Sequence, residues 1–337
     1  MSTRLLLALL ATLTAVPAAS AASFDCAKAS SPMEKAICAD PALSAKDDVL
    51  GVAWQTAIGG LKESAGGVMR KGQKDWLAYL GKICADDALP GQEPVAEERA
   101  QCIGGEYDSR IRELEASRML GGLRFYIDNT YWTAPDPDGG DYAKVARVTT
   151  SAVKLDEPAK EAKGFNAMIA AAVTASTDQM TADGEEAAKA SADSDLSLAV
   201  DHVNDARIDV RVSTYWFGHG AAHGNYSITY LHYLREQGRA FEASDIFAGK
   251  QWQSHLAALV LARLKEDRGE LLWDIEQSWL EETVADPTRW DFADGGLVIQ
   301  FQPYEVASYA DGAVRAQIDW TQLEDSLSET GSALIYN

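Results

Sequence analysis

Two histidines four residues apart, His219 and His223, sit in the run Tyr215-Trp-Phe-Gly-His-Gly-Ala-Ala-His-Gly-Asn-Tyr226, with Asp201, Asp205 and Asp209 upstream. Imidazoles and carboxylates at this density are the raw material of a metal site, so that chemistry is weighed first. Gly218, Gly220 and Gly224 argue against a rigid helical histidine pair, and no glutamate follows His219 as it does in a zinc-protease helix. No metal is therefore expected. His223 should hydrogen-bond the irregular backbone of a turn, and both histidines are candidates for contact with a partner. Nucleophilic catalysis has less support, because no Gly-x-Ser-x-Gly elbow occurs and the cysteines are expected to be oxidised. Glu281, Glu282 and Glu305 are the carboxylates that a glycosidase would use, but their separation in space is not given by sequence. The expectation is a binding protein with no catalytic residues and no cofactor.

The elements that must hold these groups follow from composition and pattern. The chain has 337 residues, 47% of them hydrophobic, enough for two domains. Residues 1–22 read as a signal peptide, with Arg4 before the apolar run Leu5–Val16 and small residues at Ala19-Ser20-Ala21. That run is too short to span a bilayer, so a periplasmic or secreted protein is expected. The formal net charge is −21, with −4 carried by residues 23–118 and −18 by residues 119–337. Such a surface repels nucleic acid and anionic lipid and attracts cationic proteins. The four cysteines, Cys26, Cys38, Cys84 and Cys102, all lie in the first third of the chain and fit no zinc spacing. In an exported protein they make two disulfides with three possible connectivities, local pairing being the simplest. Each bridge contributes about 3 kcal/mol.

Residues 23–120 read as a helical domain. Ser31-Pro-Met-Glu34 is a capping box with proline at the first helical position, for a short helix ending near Asp40-Pro41. A second helix is expected from Ser44 through Leu50, Trp54 and Ile58, and a third from Val68 to Cys84. Beyond a Pro/Gly loop, Leu89–Pro94, Ile103, Tyr107, Ile111 and Leu114 mark the buried stripe of a fourth. Phe24-Asp-Cys26, Glu34-Lys-Ala-Ile-Cys38-Ala-Asp-Pro41-Ala-Leu43-Ser and Gln73-Lys-Asp-Trp76-Leu-Ala-Tyr79, followed by Cys84, resemble the LprI family of exported lysozyme inhibitors over residues 24–118. Leu80 stands where that pattern carries an arginine.

Met119-Leu-Gly-Gly122 marks a boundary, and residues 123–330 change to strand periodicity. Strands are expected at Phe125–Trp132, Lys144–Leu155, Leu196–His202 and Arg207–Phe217, with a helix from Glu161 to Ser176 and a loop over Thr177–Ser194. A wide hairpin through the histidine run follows. Next come a turn capped by Ser244, helices at Trp252–Glu266 and Leu271–Val284, and strands at Gly295–Pro303 and Ala313–Trp320. The fold class is α+β: a disulfide-bonded all-α domain, then an α+β domain with a mostly antiparallel sheet. Gly220-Ala-Ala-His223-Gly-Asn225, Asp245-Ile-Phe247, Leu297–Phe301, Pro303-Tyr304-Glu305-Val-Ala-Ser-Tyr309-Ala-Asp-Gly312 and the strand to Trp320 resemble the extracellular lysozyme-binding domain of RsiV-type anti-sigma factors. Those factors carry a membrane helix and a sigma-binding segment, which this sequence does not show. Trp273 to Trp290 sets Glu276, Glu281, Glu282, Asp286 and Asp291 among three tryptophans. It reads either as an amphipathic helix with a solvated acidic face or as a face where aromatics anchor and acids steer a cationic protein.

Together the resemblances imply an exported binder or inhibitor of lysozyme or a similar cationic wall hydrolase. The partner-contact candidates are His219, His223, Asn225, Trp279, Glu281, Glu282, Tyr304 and Glu305. The alternatives are a peptidoglycan-associated structural or sensing module and a metal-dependent envelope hydrolase centred on His219 and His223.

Overall fold

The computed structural model describes residues 22–84, 96–136, 138–140, 143–182 and 191–336. The signal-peptide reading over 1–22 thus falls almost wholly outside the described residues, as does the expected loop at 89–94.

Four helices open the chain: α1 (Pro32–Ala39), α2 (Pro41–Ile58), α3 (Glu63–Ile83) and α4 (Ala96–Glu115). The capping box forms as expected. The Ser31 hydroxyl accepts from Glu34 N at 3.1 Å, and the Glu34 carboxylate accepts from Ser31 N at 2.8 Å and Ser30 N at 2.7 Å. Those backbone donors, Ser31 first, hold the Glu34 carboxyl down at about 2. Helix α2 starts at Pro41 rather than Ser44, because the Asp40 side chain accepts from Ala42 N and Leu43 N and proline suits the first position. The disulfides are local, Cys26–Cys38 and Cys84–Cys102, the second tying the end of α3 to α4. Met69, Trp76, Tyr79, Leu80, Ile103, Tyr107 and Leu114 form the helical core. Leu80 is fully buried there, so the leucine that replaces the expected arginine is a packing residue.

A seven-stranded sheet follows, with strand order equal to chain order: β1 (Met119–Leu120), β2 (Leu123–Pro135), β3 (Val145–Leu155), β4 (Ala192–Val203), β5 (Arg207–Gly218), β6 (Asn225–Leu234) and β7 (Arg239–Ala240). Among the described strands only β3 and β4 pair in parallel, since α5 (Ala162–Ala182) carries the chain back between them. Phe165 and Ile169 of α5 cluster with Phe125, Leu196, Leu198, Ile208, Val210 and Val212.

The C-terminal part contains α6 (Ala243–Ile246), α7 (Trp252–Arg268), α8 (Gln277–Ala285), a three-stranded antiparallel sheet of β8 (Trp290–Ala293), β9 (Gly296–Gln300) and β10 (Arg315–Asp319), and α9 (Glu329–Tyr336). Its core is built around Trp290, against which Phe241, Phe247 and Trp252 pack edge-on. Two sequence expectations are corrected here: the helix expected at 271–284 shortens to α8, and the α6 turn has Glu242 rather than Ser244 at its cap position. The short strands β1 and β7, together with β8 and α9, were not foreseen.

The helical part is not a free-standing bead. Tyr126, Ile127, Tyr131 and Val145 of the sheet pack into its core, and Arg124 donates to Ala57 O and Gly59 O. Arg110 of α4 is wholly buried in this joint.

Candidate functional site

Tyr215 pairs with Tyr226 and Trp216 with Asn225, so β5 and β6 present residues 219–224 as the hairpin tip. Its two histidines have opposite fates. The His219 side chain is 1% exposed: its Nδ1 meets the Asp136 carboxylate, with Ser191 Oγ at 3.3 Å, and its Nε2 meets Asp193 at 3.1 Å. Ser191 also donates to Asp136, and His219 N donates to Ser191 O at 2.7 Å. In a serine–histidine relay the serine and the carboxylate occupy different ring nitrogens. Here both lie at Nδ1 and a second carboxylate takes the other side, so the cluster is a clasp that pins the tip to the β2–β3 connection and the start of β4.

Burial alone would raise the Asp136 carboxyl, but hydrogen bonds from Ser191 and His219 outweigh it and hold the group below the ordinary aspartate value. A carboxyl depressed in the folded state adds stability that is complete above its ordinary value and disappears as pH falls below it. Asp136→Asn is accordingly expected to cost about 1–3 kcal/mol at neutral pH and to lose less than the parent on acidification. Thermal unfolding followed from about pH 7 to pH 3 checks it, and parallel curves for the two proteins would count against the clasp.

His223, by contrast, is exposed. Its Nδ1 lies 2.9 Å from Gly224 O, the backbone contact expected of it, and its ring stacks on Tyr309 with centroids 3.9 Å apart. Tyr309 in turn donates to Gly224 O, and Tyr226 OH accepts from Ala313 N at 3.0 Å. These contacts tie the hairpin tip to the segment after β9. Tyr304 OH lies 3.4 Å from His223 Nε2, and its ring is 5.4 Å from Tyr309 and 6.5 Å from Trp273.

Tyr304 is 50% exposed at φ +70°, among the described residues the one non-glycine with positive φ. Such a backbone costs about 1–3 kcal/mol and persists only where neighbours enforce it. Glu305 does so: its carboxylate takes Arg289 at 2.8 Å through both oxygens and accepts from Gln302 N at 2.6 Å. The result is an aromatic patch of His223, Tyr304, Tyr309 and Trp273, and along the chain on either side of Trp273 lie the exposed residues Glu270, Leu271, Asp274 and Glu276.

Of the sequence candidates, His223, Tyr304 and Glu305 come together, Glu305 as the brace beneath Tyr304. Asn225 lies at the tip, where its side chain accepts from Tyr226 N. Trp279 is half-buried against Phe301, Glu281 accepts from Gln277 at 2.9 Å and Glu282 faces solvent, all on α8. Trp273 and Tyr309 were missed as site residues, although Tyr309 belongs to the quoted Pro303–Gly312 motif. His219 and His223 do not converge, and among the described residues no group of three or more His, Cys, Asp or Glu side chains is arranged to hold a metal ion.

Residues 244–321 match the family model described as a protein of unknown function, DUF3298. The matched stretch includes Trp273, Tyr304 and Tyr309, while His219 and His223 precede it, so the patch straddles its N-terminal edge. No curated protein matches the chain. Similar crystal structures include a DUF3298 family protein from Pseudomonas aeruginosa, 18% identical over 62% of this chain and 95% of that one, with a TM-score of 0.46. A family member from Bacteroides fragilis is 17% identical over 62% and 95%, with a TM-score of 0.43. No helix among the described residues is long and apolar enough to cross a membrane, and the disulfides suit an oxidising compartment.

Proposed function

We propose that this is an exported, periplasmic or secreted binding protein with no bond-making chemistry of its own, which recognises lysozyme or a similar cationic wall hydrolase. The carrying observation is the braced Tyr304: backbone strain is maintained to hold a half-exposed aromatic beside Trp273 and His223. Rigid aromatics ringed by polar groups are what binding hot spots are made of, and the acidic residues along the chain beside Trp273 select a basic partner. The two resemblances to lysozyme-binding families support the same choice.

The test is titration of chicken-type, goose-type and invertebrate-type lysozymes at low and high salt. Binding is expected to weaken as salt rises, and Trp273→Ala or Tyr304→Ala to weaken it by about tenfold or more. Absence of affinity for all three at low salt discards the reading, whereas salt-independent affinity removes only electrostatic steering.

A peptidoglycan-associated module is the second reading. Trp132 and Trp216, each 43% exposed, lie in one cross-strand row through Val148 and Ser194 and offer ring faces to sugars. Co-sedimentation with purified peptidoglycan, lost in Trp132→Ala and Trp216→Ala, would favour it.

A further inference from the structure

We propose that the cleft where the end of α4 meets β4 and β5 binds a small ligand carrying a single carboxylate. The cleft encloses about 320 Å³, is lined by Arg112, Arg118 and Arg211 together with Glu115 and Asp201, and has Leu120 and Val200 in its walls. That volume lies in the range of small-molecule sites.

Charge counting selects the ligand. In a chain of net −21, three guanidinium groups here face two carboxylates. Arg211 is paired with Asp201 at 3.3 Å, Arg112 donates to the Ser109 hydroxyl at 3.1 Å, and Arg118 holds no described carboxylate. One positive charge is left over, which a carboxylate neutralises and a phosphate dianion overshoots. Guanidinium forks match carboxylate geometry, and the apolar wall receives the rest of the molecule. Asp201 is aimed by the fold: the β4–β5 register shifts between Val200 and His202, leaving it as the bulged residue. Arginines near a helix C-terminus also complement the helix dipole. That accounts for Arg112 but not for Arg211, which arrives from β5. The proposal is independent of lysozyme recognition.

Calorimetric titration of the protein with N-acetylmuramic acid, N-acetyl-alanyl-alanine, neutral N-acetylglucosamine and inorganic phosphate tests it. Saturable binding is expected for at least one of the two carboxylates, and which one binds tells a sugar acid from a peptide terminus. Arg118→Glu, at an exposed position, is expected to weaken that binding by about tenfold, and Asp201→Asn to strengthen it. Binding of neither carboxylate, equal binding of the neutral sugar, tighter binding of phosphate, or indifference to Arg118→Glu overturns the assignment.

Discussion

Arg110→Ala is expected to destabilise the protein by about 3–5 kcal/mol, because it strands polar groups in the joint between the helical part and the sheet. The guanidinium is fully buried, donating to Gln73 at 3.0 Å, Glu113 and Asn129 at 2.8 Å and Tyr131 at 3.0 Å, with Trp76 6.0 Å away. Among the described residues its Nη2 finds no hydrogen-bond partner, so the site already bears one unsatisfied donor. Without the cation, Glu113 keeps a charge beside Tyr131, whose hydroxyl is pushed up first by burial and next by that carboxylate. A double variant, Arg110→Met with Glu113→Gln, removes both charges and should recover much of the loss. Urea unfolding followed by tryptophan fluorescence distinguishes the outcomes. An Arg110→Ala cost under about 1 kcal/mol would mean the joint is held by its apolar contacts alone.

What the sequence made legible was local. The Ser31–Glu34 capping box, the Ile103–Leu114 stripe, the short cysteine spacings and the alternating strands each concern residues a few positions apart, and each forms. Contacts set by chain return were not legible. His219 finds Asp136, Ser191 and Asp193 only because α5 carries the chain back to lay β4 parallel to β3. Trp273 falls inside the helix expected at 271–284, yet its backbone N–H donates to Val306 O, and that tertiary bond holds it outside α8. Glu305 read as a contact residue because sequence cannot show Arg289 folding back across sixteen positions to claim it.

The second large effect is expected at the opposite end of the sheet. Asp209 is almost fully buried, held by Arg207 Nε at 2.8 Å and His232 Nδ1 at 2.7 Å, while His232 Nε2 reaches Trp290 O at 3.0 Å. Arg207 stacks 4.4 Å over Phe292 and donates to Leu334 O, so this one carboxylate organises contacts from β5 and β6 to β8 and α9. Burial by itself would raise the Asp209 carboxyl, but the His232 hydrogen bond and charge, followed by Arg207, keep it below the ordinary value. Asp209→Ala leaves a buried guanidinium unpaired and should cost about 3–5 kcal/mol, whereas Asp209→Asn keeps an acceptor and should cost about 1–3 kcal/mol. Because the folded carboxyl is depressed, this stability is complete above the ordinary aspartate value and is lost as pH drops below it, so the penalty of Asp209→Asn should narrow in acid. Through Trp290 O and Leu334 O the same cluster joins the β5–β6 hairpin to β8 and α9, the part of the chain that also carries Tyr304 and Tyr309. Asp209→Ala should therefore also loosen that aromatic patch, read as faster amide exchange at the hairpin tip under conditions where the protein remains folded. Equal costs for the alanine and asparagine substitutions, with unchanged exchange at the tip, would show that the carboxylate neither balances Arg207 nor aligns the two sheets.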